Sequence, residues 1–361
     1  KQYFFPNIVK MNKKQKICII TSLDCNLSCV YCYERKERIA FDVKKTITVL
    51  SELLSNSCDC YIEFYGGEPL LHLKKIKQVC EFVWNNFDVN FPIIMTTNGT
   101  LVHGKVKDWL IENKYRVKLC LSIDGNLESH NLNRSNSFER IDQFFFISTW
   151  KDSVAKLTVS PLTIDKLFDN VKYLHLQGFK KILVNFAQLQ HWGVKSSSIL
   201  DAEMQKLCLF YLESKNFIPC SLFDINFENL GLEKVEFLKG CGIGEEIVIG
   251  LDGEKYPCRM LIPEIVGKKI DIDFNDMHTL VSDRCFHCSF LKICKTCYAA
   301  NYLESVFFSE RNRYLCSLNR VRFKNAANYF INRALTTNAF SVRLYRSLSV
   351  ISKKYLELSQ L

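Results

Sequence analysis

Three cysteines within eight residues, Cys25-Asn26-Leu27-Ser28-Cys29-Val30-Tyr31-Cys32, constrain this chain more than any other stretch. The C-x3-C-x2-C spacing lets one loop wrap a corner of an iron–sulfur cube. Three thiolates hold three irons and leave the fourth without a protein ligand, so a further molecule is expected there. The loop follows the apolar run Ile17-Cys18-Ile19-Ile20, which reads as a buried strand. The cysteines therefore sit at a strand's C-terminal end. A zinc knuckle is the competing reading of the same octet.

Cysteine usage sets the compartment. The chain has 17 cysteines, an odd number, which argues against complete disulfide pairing. Ten fall in spaced clusters: Cys25, Cys29, Cys32, Cys241, Cys258, Cys285, Cys288, Cys294, Cys297 and Cys316. In a reducing compartment such clusters read as metal or iron–sulfur sites. Cys18, Cys58, Cys60, Cys80, Cys120, Cys208 and Cys220 read as small buried hydrophobes. No apolar run reaches the roughly 18 residues of a membrane span, and the first residues lack the apolar core of a signal peptide. A cytoplasmic location away from membranes is expected. The 361 residues, 48% apolar, suffice for one large α/β domain plus a smaller one. The formal charge of +10 counts every thiol as neutral. Three cubanes would reduce it to about +5 or +6, so the surplus is weak support for nucleic acid and suits an acidic peptide equally well.

From residue 17 to about 187, short apolar strands alternate with amphipathic helices, the pattern of βα units around a parallel sheet. Strands are expected near 17–23, 60–65, 92–97, 117–122, 155–160 and 181–187. Helices are expected near 42–56, 72–87, 104–113, 137–149 and 164–177. Six units make a partial (β/α)6 barrel, open on one side, with its site at the strands' C-terminal ends. The informative residues fall there. Gly66-Gly67-Glu68-Pro69 follows the second strand, Thr97-Asn98-Gly99 the third, and Ser122-Ile123-Asp124-Gly125 the fourth, with His130 and Arg134 beyond. Each also reads as an ordinary turn.

Taken together, these residues resemble the radical S-adenosylmethionine (SAM) enzymes, whose defining motif is C-x3-C-x-aromatic-C. The resemblance implies that Cys25, Cys29 and Cys32 hold a [4Fe–4S] cluster whose open iron binds SAM. An external one-electron donor such as flavodoxin or ferredoxin would then drive cleavage to a 5'-deoxyadenosyl radical. It places Tyr31 beside the adenine, Gly66, Gly67 and Glu68 at the SAM amino group, Asn98 at a family landmark, Ser122 on the ribose and Arg134 on the carboxylate. A rigid guanidinium fork suits a carboxylate. His130 reads as a structural hydrogen bonder.

A second cysteine field begins at Cys241-Gly242-Ile243-Gly244. A β-hairpin follows, Glu246-Ile247-Val248-Ile249 turning through Asp252-Gly253 to Cys258, then Cys285-x2-Cys288-x5-Cys294-x2-Cys297 and Cys316. Seven cysteines in this order resemble the SPASM extension, which holds auxiliary clusters. One step departs, with two residues rather than three between Cys294 and Cys297. The resemblance implies one cluster on Cys285, Cys288, Cys294 and Cys316 and another on Cys241, Cys258 and Cys297. The fourth ligand of the latter is open, or is Cys220 or Glu236. A pair of zinc sites is the alternative.

The expected partition is a radical SAM barrel over 1–190, a linker and bridging helix over 191–235, the SPASM domain over 236–320 and a helical tail over 321–361. Past Cys316, the basic residues Arg320, Arg322 and Lys324 precede an amphipathic stretch with Phe340, Leu344, Leu348, Ile351, Tyr355 and Leu358. It reads as a helix packed on the barrel or as a grip for a peptide leader. No His/Asp constellation stands out, because the cofactor carries the chemistry.

The reading is a peptide maturase that abstracts a side-chain hydrogen from a ribosomally made precursor and forms a C–C or thioether cross-link. A sulfatase maturase producing formylglycine is the alternative. Such relatives usually carry Asp after the hairpin cysteine, where this chain has Arg259. A zinc-ribbon nucleic-acid module is the alternative of another class, but it leaves the three-cysteine loop and GGEP unexplained. Iron and acid-labile sulfide after anaerobic reconstitution are expected near twelve per chain, about four per cubane. Zinc with little iron would promote the binding module instead.

Overall fold

The computed structural model describes residues 15–56, 60–89, 91–214, 216–231, 241–274, 276–336 and 349–351. Six strands lie side by side: β1 (Gln15–Ile20), β2 (Cys60–Tyr65), β3 (Ile93–Thr97), β4 (Val117–Ser122), β5 (Val154–Val159) and β6 (Lys181–Phe186). Every neighbouring pair is parallel. Ile17 stands opposite Ile62, Thr96 opposite Cys120, and Ser122 opposite Lys156. Between them run α1 (Val43–Asn56), α2 (Leu73–Asn86), α3 (Gly104–Glu112), α4 (Leu127–Asn133), α5 (Gln143–Thr149) and α6 (Leu167–Gln177). α2 buries Leu73, Ile76, Val79, Cys80 and Val83, one stripe at three- and four-residue steps. Each fully buried aliphatic side chain there contributes about 1.5–3 kcal/mol.

The sheet is an open partial barrel, but it has eight strands, in the order β6-β5-β4-β3-β2-β1-β7-β8. β7 (Glu246–Ile249) and β8 (Lys255–Tyr256) are the hairpin of the second cysteine field. β7 pairs parallel to β1, with Lys16 opposite Glu246 and Cys18 opposite Val248, and β8 returns antiparallel. The hairpin thus extends the barrel sheet. It pairs the backbone groups on β1's outer edge, whose Cys18 and Ile19 are fully buried.

Local capping explains where the helices differ from the expected ones. The stretch 137–149 is broken, because the Asp142 side chain accepts from Phe145 N–H and starts α5 there. A 3-10 turn, Phe138–Arg140, precedes it. Asn126 likewise caps the unanticipated α4 by accepting from Ser129 N–H.

Beyond β6, α7 (Ser196–Glu213) is followed by the hairpin and three single-turn helices, α8 (Pro263–Val266), α9 (Met277–Leu280) and α10 (Asp283–Phe286). α11 (Tyr298–Ser305) and the long α12 (Arg313–Thr336) complete the described elements. Ile243, Leu261, Phe274, Leu280, Val281, Tyr298 and Phe308 form a second, smaller hydrophobic cluster. α12 packs on α7, where Asn325 donates to Asp201 Oδ1 at 2.7 Å and Cys208 Sγ to Asn325 O at 3.4 Å. Arg322 of the basic run is buried, donating to the carbonyls of Leu222 (2.8 Å) and Ser221 (3.0 Å). Of the expected final helix, Ile351 is helical and buried, while Phe340, Leu344, Leu348, Tyr355 and Leu358 lie outside the described residues. Among the described residues, no helix is long and apolar enough to cross a membrane.

Two core histidines fold uncharged. His175 Nε2 meets Tyr211 Oη at 2.9 Å, and His130 Nε2 meets Ser137 Oγ at 2.9 Å. Burial pushes His175 down to about 4, and burial with Arg134 pushes His130 down to about 3. The unfolded chain therefore binds more protons below its ordinary histidine range, so stability is lost as pH falls from about 6.5 toward 4. Urea unfolding at pH 5 and pH 7 is expected to show His175→Gln removing about 1 to 2 kcal/mol of acid sensitivity. An unchanged pH difference would contradict this assignment.

Candidate iron–sulfur and cofactor-binding site

The three-cysteine loop leaves β1 at the end of the sheet where Gly66, Asn98 and Ser122 also emerge. One turn of its own, with Cys32 N–H donating to Cys29 O at 3.1 Å, is supplemented by neighbouring segments. Val30 N–H donates to Asn133 O (3.0 Å), Ser28 N–H to Ser135 Oγ (2.8 Å), and Asn26 Nδ2 to Thr100 Oγ1 (2.8 Å). Asn98 Nδ2 donates to Asn26 Oδ1 at 2.9 Å and approaches Cys25 Sγ at 4.0 Å. Lys36 Nζ caps Leu27 O. Cys25 and Cys29 are half-buried and Cys32 is exposed. Burial pushes the Cys25 thiol up to about 11 and raises Cys29 and Cys32 as well. Free thiols here stay protonated, and a bound metal centre inverts that balance.

The GGEP turn is stitched to the same loop. Gly67 N–H donates to Ser22 O and Glu68 N–H to Asp24 O, both at 2.8 Å. Gly66 has φ +130°, and a Cβ there would lie 2.4 Å from Ser22 O. At Gly67 a Cβ would strike Asp24 O at 2.0 Å. Only glycine lets the two backbones touch. Glu68 is 1% exposed. Its carboxylate accepts from Leu70 N–H (3.1 Å), Thr97 Oγ1 (2.8 Å) and Asn98 N–H (2.8 Å). Burial lifts it to about 7 against these donors. The Glu68 side-chain oxygens are thus taken up by protein donors, while the expectation for this turn concerns its backbone.

Asp124, also 1% exposed, is the second hub. Tyr31 Oη donates to Oδ2 at 2.7 Å, Asn133 Nδ2 to Oδ2 at 3.1 Å and Thr158 N–H to Oδ1 at 2.9 Å. Arg134 Nε lies 3.0 Å from Oδ2, off the hydrogen-bonding line, so the contact is ionic. The guanidinium sits 5.4 Å from the Tyr31 ring centroid. Its terminal nitrogens make no hydrogen bond among the described residues, which fits a carboxylate ligand. Ser122 stands half-buried at the end of β4.

In the second field, Cys241, Cys258 and Cys297 are mutual electrostatic neighbours. Cys297 Sγ also meets Met260 Sδ at 3.7 Å. Cys294 has Cys316, Cys288 and Cys285 as neighbours, and Arg311 Nη1 donates to its Sγ at 3.0 Å. Burial pushes Cys258 and Cys294 up to about 11 and Cys297 to about 12. Among the described residues, no three cysteine sulfurs lie within 4.8 Å of one another. Cys220 is in the main core, its N–H donating to Tyr211 Oη at 3.0 Å. Glu236 lies outside the described residues.

The barrel interior holds a charged network that sequence patterning did not single out. Lys16 Nζ lies 2.7 Å from both Glu63 and Glu246, and Lys156 Nζ 2.9 Å from Glu63. Thr96 Oγ1 donates to Glu63 at 2.9 Å. Arg259 Nη2 pairs with Glu246 at 3.1 Å, its guanidinium 4.2 Å from the Tyr65 ring centroid. Against the upward push of burial, Lys156, Arg259 and Lys16 hold Glu63 well below the usual carboxylate range. Cys18, Glu63 and Glu246 converge as if for a cation, but the carboxylates are already neutralised by these bases. The available signal was charge inside otherwise apolar strands.

No family model matches the chain. An uncharacterized protein of Methanocaldococcus jannaschii is 26% identical over 181 residues, covering 48% of this chain and 58% of that protein. A cysteine-type anaerobic sulfatase-maturating enzyme of Clostridium perfringens is 25% identical over 321 residues, covering 76% of this chain and 85% of the enzyme. The radical SAM cyclopropyl synthase TigE of Paramaledivibacter caminithermalis is 28% identical over 140 residues, 34% of this chain and 29% of TigE. The solved structure of anSMEcpe with bound AdoMet superposes with TM-score 0.69 at 21% identity, covering 93% of this chain and 98% of that one. Streptococcus suis SuiB bound to precursor peptide SuiA gives 0.59 at 15%, covering 83% and 75%. These likenesses establish the fold.

Gly67→Ala is expected to weaken SAM binding at least tenfold and to destabilise the chain by over about 1 kcal/mol. Equilibrium dialysis with reconstituted protein and thermal unfolding check both. Wild-type values in this variant would mean that the loop contact is dispensable.

Proposed function

We propose that this chain, a radical SAM enzyme, oxidatively cross-links a side chain of a ribosomally made precursor peptide. When bound, the [4Fe–4S] cluster and SAM supply a carbon-centred radical that removes one hydrogen atom from the substrate. Cys25, Cys29 and Cys32 would hold that cluster, the GGEP backbone and Arg134 would orient the SAM amino acid end, and Ser122 would meet the ribose. Glu68 and Asp124 keep these groups in register without touching the reactants. Cys241, Cys258 and Cys297, with Cys285, Cys288, Cys294 and Cys316, would hold auxiliary clusters that take the second electron. The substrate then loses one pair of hydrogen atoms per bond formed.

The observation that carries this over formylglycine formation is Arg259. A base beside the hairpin cysteine needs a group that accepts a proton. Arg259 cannot, because a guanidinium is always charged, and Glu246 and Tyr65 fix it in place. The second reading, sulfatase maturation, is favoured by the 85% coverage of the Clostridium perfringens maturase.

Co-production with peptides encoded beside the gene, followed by mass spectrometry, tests the choice. The expected product has lost one pair of hydrogens per link, and fragmentation is blocked between the linked residues. Unchanged neighbouring peptides together with conversion of a Cys or Ser to an aldehyde in a sulfatase-derived peptide would select the second reading.

A further inference from the structure

Two buried arginines stand near the C-terminal cysteines, and they are wired differently. Arg322 directs Nε and Nη2 at the carbonyls of Leu222, Ser221 and Asp224. Arg311 is 9% exposed. Its Nη1 donates to Cys294 Sγ at 3.0 Å, and its guanidinium lies 5.8 Å from the Tyr298 ring centroid. Cys285, Tyr298 and Cys316 are its next electrostatic neighbours. Its Nε and Nη2 are buried and meet no acceptor among the described residues.

A charged donor buried without an acceptor is costly, so such an arrangement persists where acceptors arrive. Apart from the Tyr298 ring, the groups that converge on Arg311 among the described residues are cysteine sulfurs. Four thiolates and the inorganic sulfides of a cubane carry net charge of about −2 and accept N–H bonds. A guanidinium with one N–H on a ligand sulfur and two others free is matched to that charge and those acceptors.

We propose that Arg311 is a positioning residue that raises the reduction potential of a [4Fe–4S] cluster held by Cys285, Cys288, Cys294 and Cys316. It does so by donating to Cys294 Sγ and, through Nε and Nη2, to the cluster's sulfides. This rests on the reading of those four cysteines as cluster ligands. Reduction adds one electron to the cluster and breaks no bond. N–H donors and a fixed positive charge stabilise the more negative, reduced form, and their loss lowers the potential.

The test uses the full chain, reconstituted anaerobically, with Cys25, Cys29 and Cys32 changed to Ala to remove the first cluster's signal. Iron is counted, and the remaining clusters are titrated with EPR detection in the Arg311→Met and Arg311→Lys variants. Arg311→Met is expected to keep its iron and to shift one midpoint potential negatively, by at least tenfold in the one-electron equilibrium, about 59 mV. Arg311→Lys should fall between it and the parent. Unchanged potentials with intact iron overturn the proposal. Loss of iron in both variants also overturns it, making Arg311 a structural cover. If the parent has no more iron than a Cys285→Ala/Cys288→Ala variant, the underlying cluster reading fails, an outcome distinct from unchanged potentials.

Discussion

Glu68 carries the assembly of the barrel mouth. Its two carboxylate oxygens are out of water and take N–H and O–H donors from its own turn and from the end of β3. Its backbone N–H is meanwhile donated to Asp24, at the start of the cysteine loop. One residue therefore ties three strand ends together, since Asn98, fixed by Glu68, in turn holds Asn26. Burial works against this carboxylate, and its donors recover only part of that cost. The mouth is stable because many short polar contacts close on one another.

Much of this architecture was legible in the sequence. β2 and β4 begin and end where the apolar runs do, at 60–65 and 117–122. The motif turns all appear at one end of the sheet because parallel βα units leave no other place for them. Three things were not legible. The pairing of β7 with β1 joins residues 230 positions apart, as in the Gln15 contact to Glu245, and carries no local signal. The break before α5 depends on Asp142, whose capping competes with continuing the helix. The interior charges were not singled out, because only the register, with Glu63 opposite Cys18 and Glu246 opposite Lys16, brings them together. Asp124 gave no signal of its role either, yet it anchors Arg134 through Nε and leaves the terminal nitrogens without a hydrogen bond among the described residues.

Charge is distributed to suit the sulfur sites. The chain's +10 is not a uniform surface excess. Arg311 and Arg322 are both buried close to Cys294, and Arg259 is fixed next to Cys258 by acidic partners. Burying unpaired cations is expensive; carboxylates balance Arg259 and carbonyls hold Arg322, while Arg311 has a single bond to sulfur. The same logic accounts for the histidines, which fold neutral where no anion faces them.

The β7–β1 pairing has a further consequence. Cys258 lies two positions past the end of β8 at Tyr256, and Cys25 follows β1, so the two cysteine-bearing segments hang from one hydrogen-bonded sheet. Strand pairing can shift only in steps of two residues if the same faces are kept, a jump of about 6.6 Å. The ladder between Lys16 and Glu246 thus acts as a ruler, converting the discreteness of β-register into a fixed spacing between the two cysteine-bearing segments.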